Sequence, residues 1–68
     1  MNREYVRSSN LESVGYDDGV LEIAFRSGGI YQYHGVPYDV YTGLMQAASK
    51  GGYFHDFIKD RYHTVKVG

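Results

Sequence analysis

Gly28-Gly29-Ile30-Tyr31-Gln32-Tyr33-His34-Gly35-Val36-Pro37 is the stretch on which the fold turns. Patterns before it read as strand, and patterns after it read as helix. Tyr31 and Tyr33 are two apart, so in a strand their rings share one side of the sheet, while Ile30, Gln32 and His34 face the other way. Gly28 and Gly29 tolerate positive φ and suit a tight reversal. Pro37 cannot continue a central strand but suits the first position of a helix.

Working back toward the N-terminus, residues 20–26 give the clearest strand pattern, with Leu21, Ile23 and Phe25 alternating against Glu22, Ala24 and Arg26. This alternation predicts a sheet with one packed and one solvated face. Asp17-Asp18-Gly19 predicts a turn before it, and residues 11–17 predict a further strand with Glu12, Val14 and Tyr16 on one face. Two tight connections in succession imply an antiparallel meander. Residues 1–9 show no periodicity and are expected to form a flexible N-terminal segment, with residues 10–68 as a single domain.

Working forward, residues 37–48 predict a first helix. Asp39 lies in its first turn, and Val40, Leu44, Ala47 and Ala48 make its apolar face. Gly43 weakens it and points to close packing on the sheet. Ser49-Lys50-Gly51-Gly52 reads as its stop, with glycine in a left-handed cap. Residues 53–62 predict a second helix, with Phe54, Phe57, Ile58 and Tyr62 on one side and His55, Lys59 and His63 on another. Residues 64–68 read either as a short edge strand or as a tail. The expected fold class is α+β: an antiparallel three-stranded meander followed by two short helices packed on one face, with that short C-terminal strand left open.

A chain of 68 residues is one domain with a small core. With no cysteine, neither a disulfide framework nor a zinc–thiolate site can form. That composition fits a reducing cytoplasm. No apolar run approaches a membrane span, and Met1-Asn2-Arg3-Glu4-Tyr5 is too polar for a signal peptide. A net charge of −1 argues against strong attraction of a polyanion by the domain as a whole. Charge is nevertheless uneven, acidic around Glu12, Asp17, Asp18 and Glu22 and mildly basic around Lys50, Lys59, Arg61 and Lys66. Eight tyrosines are conspicuous in so short a chain, and read either as rims of a small core or as a surface for a partner.

Gly15-Tyr16-Asp17, Leu21 and Phe25, Tyr31-Gln32-Tyr33, Val36-Pro37, Ala48-Ser49 with Gly51, and Tyr53-Phe54 together resemble the KTSC domain. This short bacterial domain is named after the C-terminus of some lysyl-tRNA synthetases and also occurs as small separate proteins. The resemblance runs from Asn10 to Tyr62 and implies a source in bacteria or their viruses. It marks Tyr31, Tyr33 and Pro37 as family motif residues with a structural role. RNA binding has been raised for the family because of its attachment to a synthetase, which is association rather than mechanism.

The residues themselves leave several chemistries to weigh. Tyr31 and Tyr33 would stack on RNA bases if their face were open, and would be core if the helices cover it. Tyr38, Tyr41 and Tyr53 read as lining a groove or as ordinary rim tyrosines, and a small-ligand pocket near Tyr31, Tyr33 and Tyr41 is a third expectation. His34, His55 and His63 have no recognised ligand spacing, so neither metal nor cofactor is expected. Ser49 lies in no nucleophile elbow, and the Asp17-Asp18 carboxylates read as solvated, so no enzyme is expected. The resulting expectation is a non-enzymatic binding module that contacts RNA, including tRNA, through Lys50, Lys59 and Arg61, with Tyr53 stacking. The alternative is protein–protein interaction through the tyrosine-rich surface, including self-association at a sheet edge.

Overall fold

The computed structural model describes residues 1–68. The elements in order are β1 (Glu4–Tyr5), β2 (Leu11–Asp17), β3 (Val20–Phe25), β4 (Ile30–His34), α1 (Tyr38–Gln46), α2 (Lys50–Phe57) and β5 (His63–Lys66). All five strands form one antiparallel sheet in sequence order. The class is α+β as the pattern predicts, and the three-stranded meander lies at its centre. Two edge strands extend it. β1 pairs Glu4 and Tyr5 with Val14 and Ser13, so the expected flexible segment is in part sheet. β5 returns after both helices to pair with β4, and its ladder continues to Gly68, whose carbonyl accepts from the Ile30 N–H at 3.1 Å.

The local chemistry explains the turns. Asp18 and Gly19 have φ of 48° and 81°, the doubly left-handed geometry of a two-residue hairpin. A bulge between Leu11 and Ser13 corrects the alternation expected for β2. It lets Leu11 join Val14 and Tyr16 on the packed face and turns Glu12 out to solvent. Leu11, Val14, Leu21, Ile23 and Tyr33 on the sheet then meet Val36, Leu44 and Ile58 beneath the helices, forming the core.

Pro37 stands one place earlier than expected, as the residue before α1, and its carbonyl accepts from Val40 N–H at 3.1 Å. Ser49-Lys50-Gly51-Gly52 does not stop α1 with a left-handed glycine. Instead α1 ends at Gln46, and Ser49 caps the start of α2, its Oγ accepting from Gly52 N–H at 3.1 Å. Gly51 is small for a tertiary reason: a Cβ there would lie 2.5 Å from Asn10 Nδ2. α2 closes at Phe57 rather than Tyr62, so His63 belongs to β5 and not to a helical row with His55 and Lys59. No helix is long and apolar enough to cross a membrane.

The second face of the sheet is closed at its centre, where the alternation predicted solvent. Glu22 is only 6% exposed. Its carboxylate accepts from Gln32 Nε2 at 2.8 Å and is paired with the Arg3 guanidinium, which also donates through Nε to Ser13 Oγ at 3.0 Å. The chain at Asn2 lies across Gly15, where a Cβ would meet the Asn2 carbonyl at 2.5 Å. Bonding to Gln32, and then to Arg3, holds the Glu22 carboxyl below its ordinary pKa although burial pushes it up.

Arg3→Ala leaves this carboxylate short of a partner and is expected to cost about 2 kcal/mol in urea unfolding at neutral pH. Because the folded pKa is depressed, the stabilisation is complete above the unfolded value and is lost as pH falls through the folded one. A pH series of unfolding midpoints should decline on the acid side, and Glu22→Gln should flatten that decline.

Candidate functional site

The turn Ser8-Ser9-Asn10 forms one wall of a cleft. Ser8 Oγ accepts from the N–H groups of Asn10 and Leu11 at 3.2 and 3.1 Å, while Arg26 Nε donates to the Ser8 carbonyl at 2.7 Å. The first turn of α2 forms the facing wall, brought close by the contact of Asn10 with Gly51. Two hollows of about 350 and 170 Å³ open here and share Ser9, Asn10 and Gly51. Leu11 and the half-buried rings of Phe25 and Phe54 line the larger one, with Ser27, His55 and Lys59. Arg7, Ser8, Ser49 and Lys50 line the smaller one with Ala48.

Neither hollow is lined by a carboxylate, although the chain carries eight Asp and Glu residues. Three acidic residues adjoin lining residues in sequence: Glu12 after Leu11, Asp60 after Lys59, and Asp56, whose Oδ1 lies 3.3 Å from His55 Nδ1 at an exposed position. A concave surface of cations, hydroxyls and one amide over apolar rings can hold a phosphate or sugar at its rim and a planar base against its floor.

The cleft gathers Lys50 and Lys59 but leaves out Tyr53 and Arg61. Lys50 Nζ donates to the Ala47 carbonyl at 3.1 Å, and Lys59 is exposed just beyond α2, where Phe54 O accepts its N–H at 2.9 Å. Arg61 Nε donates to the Asp56 carbonyl at 3.1 Å. Tyr53 points to α1: a Cβ on Gly43 would lie 2.8 Å from its Cζ, and its ring packs on Phe57 at 4.8 Å. Gly43 therefore admits a ring of α2, not the sheet. Arg7, Ser9, Asn10, Ser27 and His55 were missed, since they converge only through the fold. Their one local signal is the turn-forming Ser8-Ser9-Asn10 run.

Tyr31 and Tyr33 provide no open platform. Phe54 meets Tyr33 edge-on at 5.5 Å, Phe25 meets Tyr31 at 5.8 Å, and Tyr33 is buried. Burial, followed by the charge of Tyr31 and then of Asp60, pushes the Tyr33 phenol up to about 12. The pocket expected near Tyr31, Tyr33 and Tyr41 is likewise displaced, since none of the three lines either hollow. Tyr41 stacks on Tyr16 at 4.8 Å, and Tyr38 joins them at 5.9 Å from each ring. Tyr16 donates its hydroxyl to the Val36 carbonyl at 2.6 Å, which fixes the patch beside the start of α1.

The family profile of the KTSC domain matches residues 7–62. This chain belongs to the KTSC domain family. A crystal structure of a KTSC domain protein from Yersinia pestis superposes with a TM-score of 0.95 at 45% identity, covering 98% of this chain and 97% of that one. A protein of Stutzerimonas stutzeri is 38% identical over 65 residues, 93% of this chain and 92% of its own. A lysine–tRNA ligase of Nostoc is 50% identical over 42 residues, 62% of this chain but 8% of that protein. The KTSC fold thus spans nearly all of this chain, and the ligase match is confined to a small part of a much larger protein.

Gly43→Ala gains about 1 kcal/mol in helix propensity yet drives a methyl into Tyr53, so it should destabilise the KTSC domain by about 1–3 kcal/mol. In a Tyr53→Ala background the same change should stabilise. Unfolding free energies of the four proteins, taken as a cycle, read the difference.

Proposed function

We propose that this KTSC domain is a binding module for single-stranded RNA segments, such as those of tRNA, and that the cleft between Ser8-Ser9-Asn10 and α2 is its binding surface. The carrying observation is a carboxylate-free cleft with Arg7, Lys50, Lys59 and His55 at its rim, in a chain of net charge −1. Lys50 and Lys59 contact phosphates, Asn10 and the serines contact sugar or base edges, and Phe25 and Phe54 supply an apolar floor. Tyr53 and Arg61 take no part in this reading. The lining holds one imidazole and no carboxylate or thiol to act with it, which supports binding rather than turnover. The likeness to part of a lysine–tRNA ligase adds an associated reason to test tRNA first.

A second reading, protein interaction, is favoured by one specific feature: the Tyr16, Tyr38 and Tyr41 cluster, in which Tyr38 is 66% exposed. The two surfaces use different residues, so substitutions separate them.

An NMR titration of the labelled domain with a mixed-sequence single-stranded RNA and with tRNA, at low and moderate salt, tests the proposal. Shifts should centre on residues 7–10, 50–55 and 59. Affinity should fall with salt at a slope of about −0.7 for each phosphate neutralised. Lys59→Glu should weaken binding and make the slope shallower, while Tyr38→Ala should leave both unchanged. Absence of shifts at millimolar RNA, or shifts centred on Tyr16, Tyr38 and Tyr41, would overturn the cleft assignment.

A further inference from the structure

His34 and His63 are far apart in sequence and carry no ligand-like spacing. The fold makes them directly opposed partners on β4 and β5. Residues opposed in this way point to the same face of the sheet. Their rings stand 5.8 Å apart between centroids, tilted by 56°. A tetrahedral ion bound to one nitrogen of each ring at the usual metal–nitrogen length would set the centroids roughly 5 Å apart. A small rotation of two side chains, one half-buried and one exposed, covers the difference. The contact that both rings make is the one between them, so neither must surrender a hydrogen-bond or ion-pair partner to become a ligand.

We propose that the His34–His63 pair is a binding site for a divalent late first-row transition ion, in the affinity order Cu²⁺ above Ni²⁺ and Zn²⁺. Two neutral imidazoles suit these borderline-soft ions and do not suit Ca²⁺ or Mg²⁺, which take oxygen ligands. No group of three or more His, Asp and Glu side chains is assembled anywhere in the chain, so water fills the remaining positions and the site is open. The pair also terminates the β4–β5 ladder, and all four residues of β5 are exposed. A bound ion therefore fastens an edge strand to the sheet and closes the loop that carries both helices. Binding to the folded chain alone raises its stability by mass action. The ion site is separate from the cleft and does not depend on the RNA reading.

Isothermal titration of the domain with Ni²⁺ and with Zn²⁺ should give one ion per chain. Substoichiometric Cu²⁺ should broaden resonances around His34 and His63 first. His34→Gln and His63→Gln should each weaken Ni²⁺ binding by about 100-fold, the loss expected when a two-point attachment becomes single-point. His55→Gln should leave it unchanged, and added Zn²⁺ should raise the melting temperature of the wild type and of this control only. Ca²⁺ should have no effect. Unchanged Ni²⁺ affinity in His34→Gln, Cu²⁺ broadening centred on His55, or no binding by the wild type at millimolar ion would overturn the proposal.

Discussion

Burial of the central strand on both faces is the constraint that the rest of this domain answers to. Leu21 and Ile23 reach 0% exposure under the two helices, which is the ordinary fate of an apolar row. Glu22 and Ala24, on the other side of the same strand, are also buried, at 6% and 4%. The first residues supply the cover on this face, with Arg3 on Glu22 and the chain at Asn2 across Gly15. A carboxylate in this position requires hydrogen-bond donors and a counter-charge, and Gln32 and Arg3 provide them from β4 and from the chain just before β1. The order of the N-terminal edge therefore follows from one acidic residue near the middle of the sheet.

The strongly periodic part of the chain was legible because period two and turn chemistry agree in it. Leu21, Ile23 and Phe25 alternate, and Asp18-Gly19 permits the left-handed pair that the hairpin uses. β1 was not legible for a matching reason: it has two residues and imprints no apolar alternation of its own. β5 was legible in part, since Val65 and Val67 alternate, but its four exposed residues left edge strand and tail both open. Their order comes from ladder hydrogen bonds to β2 and β4. Glu12 misled the reading of β2 because a bulge changes the face of one residue without leaving a compositional mark.

Glycine was the other source of error, and its two uses explain why. In the run Ser49-Lys50-Gly51-Gly52 it resembles a left-handed helix stop. At Gly51 the need is instead for a missing side chain, since Asn10 occupies that space from a distant turn. The same need at Gly43 is set by Tyr53, which turned a residue expected to stack on a ligand into a helix–helix contact. Both distinctions are tertiary. The candidate site follows the same rule: Lys50 and Lys59 were identifiable within the mildly basic C-terminal stretch, whereas its other wall is assembled from residues some forty positions earlier.

How a chain of net charge −1 could attract a polyanion is a question of distance rather than of total charge. The Asp17-Asp18 turn lies at the far end of the hairpin from Leu11 and Phe25, which line the cleft. Six residue steps of extended strand carry the chain from Leu11 to Asp17, roughly 20 Å. At physiological ionic strength the screening length is about 8 Å, so this acidic end contributes little to the potential in the cleft. Local charge is set by Arg7, Lys50 and Lys59, offset by the exposed Glu12, Asp56 and Asp60 that adjoin lining residues. Under the proposed RNA reading, so short-range a field acts only on the few phosphates that enter it. Weak, salt-sensitive contact is thus the form of RNA binding that this charge arrangement favours.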